Sequence, residues 1–100
     1  MIQHTVVFSL IHPADSAAEQ DFLATARAVL PNIPGVQDFT VSRQVSQKSD
    51  LRFQFSMVFA DQDAYDAYDA HSDHQGFVAT RWASEVSEFQ EYDFVRHDAA

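Results

Sequence analysis

The sequence contains no cysteine and is poor in glycine and in basic residues. The lack of cysteine excludes disulfides, thiolate metal sites and cysteine nucleophiles. Gly35 and Gly76 are the only glycines, so a glycine-rich phosphate loop is absent and we expect no nucleotide cofactor. Six Lys and Arg residues against 15 Asp and Glu residues give a formal net charge of −9, which argues against nucleic acid and anionic membranes as partners.

Long apolar runs are missing as well. No stretch approaches the roughly 20 apolar residues that a membrane-spanning helix needs. Residues 1–11 are largely apolar, but they include His4 and lack the basic start and small-residue cleavage site of a signal peptide. We therefore expect a cytoplasmic protein.

Aromatic residues are abundant, with nine Phe, three Tyr and one Trp among 100 residues. These rings need a core, a pocket or an interface. The length suits one domain, which we expect over residues 1–97, followed by a frayed end at residues 98–100. A chain this short leaves much of its surface in water, which favours a partner subunit.

Alternation of apolar and polar residues predicts four strands, at residues 2–11, 36–45, 52–60 and 89–95. Capping patterns at Ser16 with Glu19, at Asp61, and at Ser72 with Gln75 predict three helix starts. The order β-α-β-β-α-(α)-β is that of the split βαβ, ferredoxin-like pattern. We predict an α+β domain in which helices cover one face of a four-stranded antiparallel sheet.

The two faces of the predicted sheet differ in composition. One strand has Phe53, Phe55, Met57 and Phe59 on its helix-facing side, where we expect them to form the core. A cavity lined by part of this stripe is the alternative. On the first helix, Ala18 belongs to the expected apolar stripe. The opposite sheet face is half apolar, with Thr5, Val7, Ser9, Ser56 and Val58. Such a face suits a second subunit, so we predict a homodimer whose sheets pack into a two-fold barrel.

Tyr68, His71 and His74 recur at a spacing of three and are candidates for chemistry. A histidine accepts a proton near neutral pH, and a tyrosine donates a hydrogen bond to a carbonyl oxygen. His74 as base and Tyr68 as donor make a minimal set for enolisation, with His4 placed to orient or polarise. The alternatives stay open: Tyr68 as an amphipathic core residue, His74 as a residue that only satisfies a helix start or bonds a backbone carbonyl, and His4 as a satisfied core histidine.

Other ligand-type patterns are weak. His71 and His74 with Asp73 have metal-ligand side chains, but a third placed ligand is lacking, so we expect no metal site. Further candidate binding residues are apolar and aromatic: Phe8, Phe55, Phe77 and Trp82. They suit a small hydrophobic ligand.

Four segments carry a family resemblance: residues 3–8 (QHTVVF), 33–36 (IPGV), 68–77 (YDAHSDHQGF) and 92–94 (YDF). The chain resembles the stress-responsive A/B-barrel (Dabb) family over nearly its whole length. The resemblance implies a ferredoxin-like, dimeric α/β barrel. Ser72 stands where the family usually has proline, which loosens the turn and keeps both histidines.

A plant member of that family closes a polyketide chain without a cofactor. The resemblance therefore implies a pocket Tyr/His pair, matched here by Tyr68 and His74, with His4 matching a further pocket histidine. Three functions follow as hypotheses: a cofactor-independent cyclase or isomerase of a hydrophobic carbonyl compound, a cofactor-free monooxygenase, and a non-catalytic stress-response or ligand-binding dimer.

Overall fold

The computed structural model describes residues 1–98. Its four strands form one antiparallel sheet in the order β2-β3-β1-β4. The strands are β1 (Ile2–Leu10), β2 (Gln37–Arg43), β3 (Phe53–Phe59) and β4 (Val86–Phe94). Helices α1 (Ala17–Val29), α2 (Gln62–Ala70), α3 (Ser72–Phe77) and the short α4 (Ala83–Glu85) contribute the other layer. The predicted α+β, ferredoxin-like fold is confirmed.

Two of the predicted helix starts are confirmed by their side-chain caps. At α1 the backbone N–H of Glu19 donates to Ser16 Oγ over 3.2 Å. The Glu19 carboxylate reaches back one residue further than a standard capping box and accepts from the Asp15 N–H at 3.0 Å. At α2 the Asp61 carboxylate accepts from the backbone N–H of Ala64 at 2.9 Å. These bonds satisfy N–H groups that a helix start leaves without partners.

The predicted cap at Ser72 is wrong, because the helical pattern breaks one residue earlier. His71 has extended backbone angles, and its Nδ1 accepts from the Asp73 N–H at 3.1 Å. Ser72 is the first residue of α3 and therefore follows the cap position, which His71 occupies. After α3 the chain widens into a π-helical turn, Val78–Trp82, before α4.

The core lies between the helices and one face of the sheet. Its strand residues follow the predicted alternation, with Phe53, Phe55, Met57 and Phe59 all buried. Burial of a side chain of this size stabilises the fold by about 1.5–3 kcal/mol. On α1 the expected Ala18 is exposed and Leu23 is buried with Phe22 and Ala26, because the buried stripe is rotated relative to the predicted one. The buried hydrophobic residues are Val6, Phe8, Phe22, Leu23, Ala26, Leu30, Ile33, Phe53, Phe55, Met57, Phe59, Tyr65, Tyr68 and Phe77.

The other sheet face has no helix layer packed against it in the described part of the chain. The strand register pairs Thr5 with Tyr92 and with Ser56, and Gln3 with Phe94. Tyr92 and Phe94 are about half exposed, and their rings stack with centroids 5.8 Å apart. We call this surface the open sheet face. It contains the residues predicted for it and two aromatic rings besides.

Strand ends differ from the predictions by a few residues. β4 begins at Val86, three residues before the predicted start, and β2 ends at Arg43, which leaves Val45 86% exposed. Of the end predicted to fray, Asp98 is described, whereas residues 99 and 100 lie outside the described residues. Every helix within residues 1–98 is too short or too polar to cross a membrane.

Candidate functional site

A cavity of about 330 Å³ lies between the helix-facing side of the sheet and the α2–α3 region. This volume is at the lower end of the range for small-molecule sites, roughly 300–1,000 Å³. Its apolar wall is formed by Val6, Leu30, Phe55, Met57, Phe77, Val78, Trp82 and Phe89. Its polar wall is formed by His4, Tyr68, Asp69, His74 and Glu91. A mostly apolar wall with a few polar groups is typical of a ligand site.

Two irregular features of the fold shape this cavity. The π-helical turn Val78–Trp82 contributes both of its end residues to the wall, and such turns occur often at functional sites. On the opposite side, Phe89 packs edge-to-face against Trp82 with ring centroids 5.6 Å apart. Phe89 is 54% exposed because β4 is an edge strand. The cavity therefore has an exposed aromatic side along β4.

Tyr68 and His74 meet on the wall, with ring centroids 4.4 Å apart. The extended residue His71 separates their two helices and redirects the chain between them. His74 Nδ1 lies 3.2 Å from the Asp69 carbonyl oxygen, so this nitrogen carries the hydrogen and donates it. In the neutral imidazole, Nε2 then keeps its lone pair and is the basic nitrogen.

The Tyr68 side chain is 2% exposed, yet no hydrogen bond within residues 1–98 engages its hydroxyl. No fully buried side-chain oxygen or nitrogen in the described chain lacks a partner. The hydroxyl therefore reaches open volume. Burial raises the pKa of Tyr68, and the negative charges of Asp69 and Glu91 raise it further. Tyr68 consequently stays protonated and is a hydrogen-bond donor at the wall.

His4 is held by a buried polar cluster. Its Nδ1 lies 2.6 Å from Asp93 Oδ1 and 2.9 Å from the Tyr65 hydroxyl, and its Nε2 lies 3.7 Å from Glu91 Oε1. A carboxylate only accepts, so Nδ1–H donates to Asp93. Burial, followed by the hydrogen bond with Asp93, raises the pKa of Tyr65, which keeps its proton. The cluster fixes the imidazole with Nε2 as the second basic nitrogen of the site.

The structure brings six of the eight sequence-predicted site residues to the cavity wall: His4, Phe55, Tyr68, His74, Phe77 and Trp82. Phe8 instead lies in the core behind Trp82, with ring centroids 5.0 Å apart. His71 caps α3. The site roles of all eight residues stay predictions.

Sequence reasoning did not find four further polar residues, Tyr65, Asp69, Glu91 and Asp93. Glu91 and Asp93 reach the site because β4 pairs Val6 with Glu91 and His4 with Asp93. A single sequence does not give this register, because shifting the pairing of β4 by one residue would move its side chains to the opposite face of the sheet. Asp69 and Asp93 belong to the segments 68–77 and 92–94 that carry the family resemblance, but the resemblance assigns neither of them a role.

The described residues, 1–98, contain no group of three or more His, Asp or Glu side chains that could hold a metal ion. A second cluster lies away from the cavity and joins α1 to α4. Arg81 contacts Glu85 at 2.5 Å and Asp21 at 2.9 Å, and His12 Nε2 contacts Glu85 at 2.7 Å. The hydrogen bond from Arg81 lowers the pKa of Glu85.

A four-stranded sheet with helices on one face and a cavity between the layers defines a small α+β protein of the ferredoxin-like class. The family model of the stress responsive A/B barrel domain, Dabb, matches residues 2–96. The chain therefore belongs to the Dabb family, and the resemblance found in the sequence is confirmed.

One solved structure agrees with this assignment, and more distant ones share the fold. A Dabb family protein with a ferredoxin-like fold from Mesorhizobium loti is 48% identical, with a TM-score of 0.96 and 97% of each chain covered. A dimeric ferredoxin-like protein from Thermobifida fusca is 14% identical, with a TM-score of 0.77 and coverage of 95% of this chain and 90% of that chain.

SnoaB, a cofactor-independent oxygenase from Streptomyces nogalater, has the same fold in the structure of a point mutant. It is 18% identical, with a TM-score of 0.71 and coverage of 98% of this chain and 94% of that chain. A search of curated proteins found no match.

Proposed function

We propose that this protein is a cofactor-independent enzyme that moves a proton next to the carbonyl group of a small hydrophobic compound, leading to cyclisation or isomerisation. The observation that carries the proposal is the contact of the Tyr68 and His74 rings, 4.4 Å between centroids, on the wall of an apolar cavity. Tyr68 is a buried donor that keeps its proton. Beside it, the Nδ1 of His74 is bonded to the Asp69 carbonyl oxygen, which leaves Nε2 as the base.

The proposed step is an enolisation. His74 Nε2 removes a proton from the carbon next to the carbonyl, and the C–H electron pair forms the enol C=C bond. The carbonyl π electrons move to oxygen, where Tyr68 donates its hydrogen bond to the developing charge. In cyclisation the enolate carbon attacks a second carbonyl of the same chain, and the oxygen of that carbonyl takes the proton back from the His74 imidazolium. In isomerisation of a conjugated enolate the imidazolium returns the proton at another carbon, which moves the double bond.

His4 has a separate part in this proposal. Asp93 and Tyr65 hold its Nδ1, so its ring has one orientation, and its Nε2 lies 3.7 Å from Oε1 of Glu91, a residue of the cavity wall. We assign it to orienting the substrate carbonyl or polarising it. His4→Gln then lowers turnover less than His74→Gln does.

The proposal includes a homodimer formed through the open sheet face. Tyr92 and Phe94 present half-exposed rings beside half-buried Val7 and Val58, and burying apolar area of this kind favours association. The dimeric Thermobifida fusca protein shares the fold. Sedimentation at micromolar concentration is expected to show a dimer, and Phe94→Asp is expected to give a monomer. A wild-type monomer contradicts this part of the proposal.

The experiment that tests the site is a thermal-shift screen of aromatic and polyketide-like carbonyl compounds, followed by turnover assays of the stabilising ones. Binding to the folded state raises the melting temperature by linkage. Tyr68→Phe/His74→Gln is expected to lose the shift and the turnover. Tyr92→Phe/His97→Gln makes the same chemical changes outside the cavity and is expected to keep both. Equal shifts and equal turnover in the two double variants contradict the proposed site.

The same assays separate the two other hypotheses. Oxygen consumption with a phenolic or quinol-type compound, dependent on the cavity residues, favours a cofactor-free monooxygenase. The likeness to SnoaB supports that reading by fold alone. Ligand binding without turnover favours a non-catalytic stress-response or binding dimer. Cell fractionation tests the cytoplasmic location, which stays a prediction.

A further inference from the structure

We propose that the cavity selects its ligand by charge, admitting uncharged or amine-bearing carbonyl compounds and rejecting carboxylates and phosphorylated or other anionic carriers. The inference rests on the proposed function and names its substrate class. The observation behind it is that the Asp, Glu, Lys and Arg side chains of the cavity wall are all acidic.

Two acidic residues line the cavity, and no Lys or Arg does. Asp69 comes from α2 and Glu91 from β4, so a ligand between helix and sheet has an acidic residue on each side. All six Lys and Arg residues lie in the described part of the chain, and none lines the wall. Arg81 precedes Trp82 in sequence, but its guanidinium is engaged by Glu85 and Asp21.

The two histidines do not reverse this sign. His74 donates Nδ1–H to a backbone carbonyl, which adds no charge in the neutral form. His4 is bonded to Asp93 at 2.6 Å, so a proton gained at His4 is neutralised by a carboxylate in contact. A ligand anion therefore has no cation of its own to pair with.

The field of the carboxylates reaches the functional groups. After burial, Asp69 and Glu91 are the causes that raise the pKa of Tyr68, and both also act on Tyr65. The same field opposes an anion placed beside the Tyr68 hydroxyl. Aromatic rings of Tyr68, Trp82 and Phe89 stand nearby, and the faces of such rings attract cations. The net charge of −9 adds a repulsive long-range contribution.

The size of the effect is limited by solvent. Asp69 is exposed and Glu91 has a half-exposed side chain, so water screens part of both charges. Even at the effective dielectric of a protein surface, a like charge a few ångströms away costs more than a factor of ten in affinity. We expect a carboxylate to bind at least about tenfold more weakly than an uncharged ligand of the same shape. The ratio should shrink at about 1 M salt, where the Debye length is about 3 Å.

The test uses three aromatic methyl ketones that differ in one substituent: 4-acetylbenzamide, 4-acetylbenzoate and 4-(aminomethyl)acetophenone. Calorimetric titration of wild type is expected to rank the amine at or above the amide and the carboxylate last. Asp69→Asn/Glu91→Gln is expected to bring the carboxylate close to the amide. Asp63→Asn/Glu88→Gln removes the same net charge at exposed positions outside the wall and is expected to leave the ranking unchanged.

The outcomes separate the two proposals. If the carboxylate binds as tightly as the amide, or if both double variants change the ranking equally, charge selection by the wall is overturned while the cavity stays a ligand site. If none of the three ketones binds, the aromatic carbonyl class of the proposed function is overturned, and charge selection falls with it.

Discussion

Tyr65→Phe, Tyr68→Phe and Tyr92→Phe each remove one hydroxyl and keep the ring, so their stabilities compare three environments. The Tyr65 hydroxyl bonds His4 at 2.9 Å inside the buried polar cluster. The Tyr68 hydroxyl faces the cavity, and Tyr92 lies half exposed on the open sheet face. The comparison therefore isolates whether the Tyr68 hydroxyl serves the fold or is kept for a ligand.

The expected magnitudes follow from what each hydroxyl bonds. Tyr65→Phe removes a hydroxyl that is bonded to His4 and to Asp93, while Asp93 still accepts from His4, so the cost is that of a lost hydrogen bond, about 0.5–1.5 kcal/mol of unfolding free energy. Tyr68→Phe and Tyr92→Phe break no protein hydrogen bond found in residues 1–98, so each changes stability by about 0.5 kcal/mol or less. A loss of about 1 kcal/mol lowers the melting temperature of a domain this size by about 4–8 °C.

Urea unfolding at neutral pH measures these differences, with all variants at one protomer concentration because dimer formation adds to apparent stability. The slope of free energy against urea should be the same for all four proteins. A loss for Tyr68→Phe as large as that for Tyr65→Phe would refute the reasoning, because it would place the Tyr68 hydroxyl within the bonding of the fold.

Three further predictions concern the scaffold. The hydrogen bond from Arg81 lowers the pKa of Glu85 below its ordinary 4.5. The ionised Glu85 therefore stabilises the fold above that pH, and this stabilisation is lost as the pH falls through the folded-state pKa. Glu85→Gln should be less stable than wild type at neutral pH, and its melting temperature should fall less steeply on acidification. Gly35 has φ +92° and space for a Cβ, so Gly35→Ala should lower the unfolding free energy by about 1–2 kcal/mol through backbone strain alone. Gly76 lies in α3, and Gly76→Ala should not lower it. Urea unfolding measures both. His71→Ala removes the α3 cap and should lose about 1 kcal/mol by the same assay, while His71→Asn keeps most of it; equal losses would contradict the cap.

The fold was predictable because its local signals agree with one another. Period-two alternation in β1 and β3 and the caps at Ser16 and Asp61 each specify one element, and together they leave few topologies. The cap at Ser72 failed because histidine is not a usual helix cap, so the pattern alone did not indicate that His71 supplies the acceptor.

The site was predictable where it is local and unpredictable where it depends on strand pairing. Tyr68 and His74 lie six residues apart, so a short break in the helix brings them together. His4, Glu91 and Asp93 come from opposite ends of the chain and meet through the β1–β4 register. The cavity itself depends on how a π-helical turn spaces Trp82 from β4, and helical periodicity does not encode such a turn.

The most direct test of the central claim is hydrogen–deuterium exchange at the carbon next to a carbonyl, followed by proton NMR in D₂O with an aromatic methyl ketone. Enolisation exchanges these hydrogens whether or not a ring then closes. The account predicts that wild type accelerates exchange over buffer, that Tyr68→Phe and His74→Gln each lose about 10²-fold or more of that acceleration, and that Tyr92→Phe keeps it. Exchange at the buffer rate with a ketone shown to bind in the cavity, or equal rates in all variants, would contradict it.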